Sequence, residues 1–210
     1  MSKSGDYWRE KQKAWAIPQE IIDQAETSPW VHPPVVFQIP KHIEASPSHE
    51  AANEVSPQSL LDIGCGGGIA AFGSRAPHVI GLDHQNEMLV MFGENAKKYG
   101  RTYETILGNW PDVAAQTPKA DVVVAHHVAF NVQNIEEFLQ AMHNHALKRS
   151  ILEVPIFHPQ TNVKGLWKHF WNIERPSTPT AEDLLPILEE LGFHAIFKRW
   201  VGETRSLTSF

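Results

Sequence analysis

The sequence predicts an α/β fold, a doubly wound and mostly parallel sheet behind an N-terminal helical and irregular cap. Three observations predict it. From Ser59 onward, short apolar runs alternate with helical patterns, the order that builds parallel sheets with right-handed crossovers. The run Val122-Val123-Val124 is continuously apolar, as in a strand covered on both faces. The cluster Gly64-Cys65-Gly66-Gly67-Gly68 follows the first strand and opens a helix, which puts a tight turn at the strand's carboxyl end.

Taken in order, residues 1–58 read as a cap belonging to the same domain, and residues 59–210 as the ligand-binding body. Asp6 to Ala25 is a helical region interrupted at Pro18, with Trp8, Trp15, Ile21 and Ile22 as its apolar contacts. Pro29, Pro33, Pro34, Pro40 and Pro57 make the rest of the cap extended or turning. Strands are predicted over Ser59–Ile63, Val79–Leu82 (closed by Asp83), Tyr103–Leu107, Ala120–Ala125 and Ser150–Val154. A short helix spans Ile69–Ala76, and a longer one runs from Asn86 to Tyr99 and stops at Gly100. Ile135, Phe138, Leu139, Met142 and Ala146 share one face of a helix, and Asn134 with Glu137 has the spacing of a capping box. Pro155–Pro179 is an insert rich in His, Trp and Pro. Thr180 caps a helix that stops at Gly192 and is expected to kink at Pro186. Phe193–Val201 is the expected final strand, and Gly202–Phe210 leaves little chain for another, so an incomplete sheet edge could favour a homodimer.

Composition narrows the function. With 42% hydrophobic and 20% charged residues, the 210-residue chain can bury a core. One cysteine rules out an internal disulfide, and therefore a disulfide-built scaffold. The net charge of −6, from 18 basic and 24 acidic residues, lacks the basic surplus of a nucleic-acid binder. No apolar run approaches the roughly 20 residues of a membrane span, and the polar stretch Met1–Lys13 is unlike a secretory signal. The expectation is a cytoplasmic protein with a small-molecule partner, no membrane contact and no nucleic acid. Seven Trp and 12 His are many for this length, and amphipathic rings suit pocket walls.

The glycine loop admits two ligands. Gly66, Gly68 and Ala71 satisfy the dinucleotide spacing G-x-G-x-x-A, but Asp62 stands just before the loop, where a carboxylate would repel a pyrophosphate. A ligand with a cationic end and no phosphate would tolerate it. Asp83, ending the second strand, can accept hydrogen bonds from ribose hydroxyls in either case. The pattern Asp62-x-Gly64-x-Gly66-x-Gly68 resembles motif I of the class I S-adenosylmethionine-dependent methyltransferases, and Gly81-Leu82-Asp83-His84-Gln85-Asn86-Glu87-Met88-Leu89 is similar to the family's second motif. The resemblance spans Ser59 to about Val201. It implies a Rossmann-like sheet, S-adenosylmethionine as cofactor and S-adenosylhomocysteine as product. It also implies a cofactor site formed by Asp62, Gly64, Cys65, Gly66, Gly68, Asp83, His84, Met88, Asn109, Trp110 and His126. Asn109 stands where the family commonly has Asp. Trp110 either stacks on the adenine or anchors the turn into Pro111.

Methyl transfer is an in-line displacement, so the protein mainly aligns the acceptor and excludes water. A base matters when the acceptor must lose a proton. The stretch His126-His127-Val128-Ala129-Phe130-Asn131-Val132 resembles a bacterial group of small methyltransferases with an HHV-x-[YF]-N-V segment after strand four. Alternation at a strand end turns His126 and His127 apart, which assigns His126 to the cofactor and His127, with Asn131, to the acceptor. The histidines lack the spacing of a metal site, so no metal is expected. Trp15, Trp30, His158, Trp167, His169 and Trp171 are candidate walls for the acceptor, and Lys164, Lys168, Arg175 and Lys198 are candidates for an acidic group on it. The alternatives are a NAD(P)-dependent oxidoreductase and a non-catalytic, methyltransferase-like protein that holds the cofactor without turnover.

Overall fold

The computed structural model describes residues 2–24, 43 and 45–201. Trp30 and the prolines from Pro29 to Pro40 lie outside the described residues. Five strands, β1 (Ser59–Ile63), β2 (His78–Asp83), β3 (Thr102–Leu107), β4 (Ala120–His126) and β5 (Ala146–Glu153), form one sheet. Its order is β3-β2-β1-β4-β5, and every pair is parallel. The strand order reverses between β1 and β4, which opens a crevice at their carboxyl ends.

The apolar runs explain the two layers. Leu61, Ile63 and Val123 face one side and pack with α1 (Lys3–Lys13), α6 (Ile135–His145) and α8 (Leu184–Glu190) through Trp8, Phe138, Met142 and Ile187. Leu60, Val122 and Val124 face the other side, against α3 (Pro47–Glu54), α4 (Ile69–Phe72) and α5 (Asn86–Lys98) through Ala52, Phe72 and Phe92. Successive strand residues thus serve opposite layers, so β1 and β4 read as unbroken apolar runs.

The cap begins with α1, whose Ser2 hydroxyl accepts from the Gly5 amide at 3.1 Å. Pro18 starts the short α2 (Gln19–Ile22). Three expectations are corrected. The stretch before β1 is not wholly extended, because α3 forms there. Pro47 sits at its first turn, where a missing N–H costs nothing, and Ser46 with His49 builds a capping box. Asn134 starts α6 without a side-chain cap bond, so the expected box with Glu137 does not form. Phe193–Val201 is not a strand. It has no regular structure and no strand to pair with among the described residues; Phe193 packs partly against the core, while Ile196 and Val201 stand in solvent.

The insert after β5 contains a 3-10 turn at Pro159–Val163 and α7 (Lys164–Trp171), which buries none of its side chains. Thr180 and Asp183 form a capping box before α8. Pro186 falls in the first turn of α8, where no intrahelical donor is lost, and the helix runs past it to Glu190.

Candidate active site

The loop between β1 and α4 is held from below by backbone. Gly64 and Cys65 both donate to the Leu82 carbonyl on β2, at 2.8 and 3.0 Å. Gly64, Gly66 and Gly68 have φ of 68°, 48° and 92°, the left-handed region that glycine tolerates. A Cβ on Gly68 would come within 2.2 Å of the Phe72 ring. The result is a tight turn of bare backbone, largely buried, at the carboxyl end of β1.

Two carboxylates flank this loop. Asp62 is 1% exposed, and its Oδ2 accepts from the Ala71 amide in α4 at 3.2 Å. Burial pushes its pKa well above the usual carboxylate range, against the pull of the Ala71 amide. Asp62 therefore secures the loop to α4. Asp83 ends β2, and its Oδ2 accepts from the Gly66 amide at 3.0 Å while Oδ1 accepts from the Gln85 amide at 3.0 Å. His84 stands exposed beside it, with Nδ1 3.4 Å from Asp83 Oδ1. The Cys65 thiol is buried and pushed well up, first by burial and then by the charges of Asp62 and Asp83, so it is not a reactive thiolate.

Other residues expected at this site have separate settings. Met88 is buried on α5. Asn109 is exposed beyond β3. Trp110 takes the anchoring role: its indole N–H donates to the Phe138 carbonyl of α6 at 3.2 Å, and its ring meets His145 edge-on. An open groove of about 420 Å³ runs along α5 and β3 and is lined by none of the glycine-loop residues.

At the end of β4 the two histidines diverge, with ring planes 79° apart. The His126 side chain is 6% exposed and lies against His49, at 5.5 Å between ring centroids. Burial lowers its pKa to about 4, so it is neutral at pH 7. His127 has φ 61° and a side chain 56% exposed. A positive φ in a residue that is neither Gly nor Asn signals a constrained position, and it turns the ring out of the sheet edge. The His127 amide donates to the Glu153 carbonyl at 2.8 Å, and Nε2 lies 3.2 Å from Glu153 Oε1. Asn131 is exposed in the turn that follows.

Glu153, at the end of β5, is the residue that sequence reasoning missed. Its carboxylate accepts from Ser46 Oγ at 2.9 Å and from Ser48 Oγ, both at the start of α3, and it faces both histidines. Burial alone would raise its pKa, but bonds from His127, Ser48 and Ser46, with the nearby His126, hold it at about 2. With His126 neutral at pH 7, His127 and the hydroxyls carry that stabilisation there. The available signal was an acid ending the apolar run Ser150-Ile151-Leu152.

The candidate wall residues divide. Trp15 is buried, stacks on His158 at 3.8 Å between centroids, and donates to the Thr178 carbonyl. Phe130 meets the His158 ring at 5.4 Å. Burial, then the Arg175 charge, holds His158 at about 4. Trp167 lies under the Arg175 guanidinium, whereas His169 and Trp171 stand exposed on α7, apart from this stack.

Comparison with known proteins agrees with this fold. Residues 60–148 match the family model described as "Methyltransferase domain". No curated protein matches the chain in sequence. Among solved structures, magnesium protoporphyrin IX methyltransferase from Synechocystis PCC 6803, with bound S-adenosylhomocysteine, superposes with a TM-score of 0.52 at 20% identity, over 68% of this chain and 67% of that one. A candidate methyltransferase from Bacillus halodurans C-125 superposes with a TM-score of 0.51 at 19% identity, over 69% of this chain and 66% of that one. A structure titled for the conversion of a disulfide bond into a thioacetal group during echinomycin biosynthesis gives 0.51 at 19% identity, over 69% and 66%. The chain thus spans about two-thirds of the length of these relatives. Over residues 60–148 it is similar to the methyltransferase-domain family, and its Rossmann-like fold is shared with these structures.

Proposed function

We propose that the chain binds S-adenosylmethionine on the Gly64–Gly68 loop and methylates a small-molecule acceptor, with His127 taking the acceptor's proton. The residues suit this cofactor. The loop is bare backbone beside the Asp83 carboxylate, which disfavours a pyrophosphate and suits a ribose, while the buried Asp62 secures the loop to α4. Asp83 would hold the ribose hydroxyls, and the loop, without side chains at Gly64, Gly66 and Gly68, would let the cofactor approach its backbone. Bound there, the cofactor supplies a methyl group already activated for displacement.

The observation that carries the proton-transfer role is the His127–Glu153 pair at the carboxyl ends of β4 and β5. Glu153 engages Nε2, which places the proton of the neutral ring on that nitrogen and leaves the Nδ1 lone pair for the acceptor. Glu153 is a positioning residue in this scheme, fixed in turn by Ser46 and Ser48. The net charge of −6 fits a small acceptor better than a nucleic acid. No helix of the described residues is long and apolar enough to cross a membrane, and with a single cysteine the chain suits the cytoplasm.

Calorimetric titration with S-adenosylhomocysteine, with NADPH in parallel, tests the cofactor. Micromolar binding of the former, lost in Asp83→Ala, is expected; binding of NADPH alone would replace this reading with an oxidoreductase. Once an acceptor is found, His127→Gln is expected to lower kcat about 100-fold. Glu153→Gln should lower it less and shift the pH profile of kcat, a change that a purely structural role would not produce.

A further inference from the structure

Arg175 lies in the insert beyond α7 and is 7% exposed. Its Nη1 donates to the Ala16 carbonyl at 3.0 Å, and its guanidinium carbon sits 4.0 Å above the centre of the Trp167 ring. Nε and Nη2 are buried and have no hydrogen-bond partner among the described residues. The adjacent acid, Glu174, pairs with Lys168 instead. A guanidinium stays charged at any physiological pH, and burying it unpaired is costly. The nitrogens left over are informative. Nε–H and the neighbouring Nη2–H point the same way and form the two-donor fork that matches the two oxygens of a carboxylate.

The surroundings give the rest of the ligand. The Trp15–His158 stack adjoins Ala16 on one side and Phe130 on the other, and Phe130 lies three residues beyond His127. A line of buried ring contacts, Trp15–His158–Phe130, therefore runs from beside Ala16 toward the turn that carries His127. α7 leaves Leu166 and Phe170 exposed. Gln160 Oε1 and Thr161 Oγ1 in the same insert, and Gln12 Nε2 on α1, are also buried without partners among the described residues. An interface that only had to pack would not orphan polar groups from both of its sides.

We propose that the Nε/Nη2 edge of Arg175 receives a carboxylate of the methyl acceptor, which makes the acceptor an apolar or aromatic acid. The carboxylate site stands on its own geometry, and only its identification with the acceptor rests on the methyl-transfer reading.

The test is calorimetry with 4-phenylbutyrate and its neutral isostere 4-phenylbutyramide, with and without S-adenosylhomocysteine. The acid should bind about 10- to 100-fold more tightly than the amide, the range for a charge-assisted pair. Arg175→Gln should abolish that preference while leaving S-adenosylhomocysteine affinity unchanged. Equal binding of acid and amide, no binding of the acid at millimolar concentration, or an undiminished preference in Arg175→Gln overturns the proposal. If Arg175→Gln does not fold, Arg175→Lys decides: it keeps the charge and loses the fork, so its acid preference should shrink, and a full preference overturns the proposal. Acid preference without S-adenosylhomocysteine binding would remove the cofactor reading and leave the carboxylate site standing.

Discussion

At the residue scale, the end of β4 holds two histidines with opposite electrostatic settings. His126 is buried against His49 and near Glu153, and burial sets its pKa at about 4. The unfolded chain would bind a proton there near pH 6.5. Between those values the unfolded state carries more protons than the folded one, so stability falls as the pH is lowered. The shift corresponds to roughly 3 kcal/mol when complete. His158, also lowered to about 4, acts in the same direction. Glu153, held at about 2, adds stability that is present above its ordinary value of 4.5 and lost as pH falls toward 2. Urea titrations of the wild type should therefore show stability declining from pH 6.5 to pH 4, with a further fall below. His126→Leu should flatten the upper part of that decline and leave the lower part in place. A decline of unchanged slope in His126→Leu would mean that another group controls it.

At the element scale, α3 explains why part of the site was illegible in the sequence and part was not. The loop, Asp62, Asp83 and the strand-four histidines were readable because each sits where one strand ends, and strand ends follow from apolar periodicity and glycine. Glu153 gains its meaning only from register: β4 and β5 pair in parallel with His126 opposite Glu153, which long-range pairing decides. Ser46 and Ser48 reach Glu153 across 107 and 105 residues of sequence, and no local pattern encodes such a contact. The prolines around α3 also disguised it, because Pro47 marks a first helical turn as readily as a break. The final strand failed for the converse reason: Phe193–Val201 alternates well locally but finds no partner strand among the described residues. Ser46 joins two functions, capping α3 and holding Glu153. Ser46→Ala is expected to cost about 0.5–2 kcal/mol in urea denaturation, the range of a lost cap. It should also reproduce part of the Glu153→Gln shift in the pH profile. A stability loss with an unmoved profile would confine Ser46 to capping.

At the scale of the whole molecule, the question is whether the N-terminal cap is a separate body or part of the core. Trp8 argues for the second. It is fully buried among Phe130, Ile135, Leu184 and Ile187, stacks on Phe130, and donates its indole N–H to the Val132 carbonyl at 2.8 Å. Around it, Arg9 and the Ser2 amide bind Glu136 on α6, and Ser4 binds Glu190 on α8. These polar contacts, one part-buried ion pair and hydrogen bonds from two serines, tie the cap to α6 and α8. The buried indole supports that reading, because its removal would open a cavity under the turn that carries His127 and Asn131. Trp8→Ala is therefore expected to destabilise the entire protein by about 3–5 kcal/mol. Far-UV circular dichroism and tryptophan fluorescence should lose signal in one coincident transition in both wild type and variant. A cap that melted first, with the sheet signal intact, would make residues 1–58 a detachable unit. A single shifted transition would make them structural support for the turn that carries His127, and Trp8 the residue through which the cap holds it.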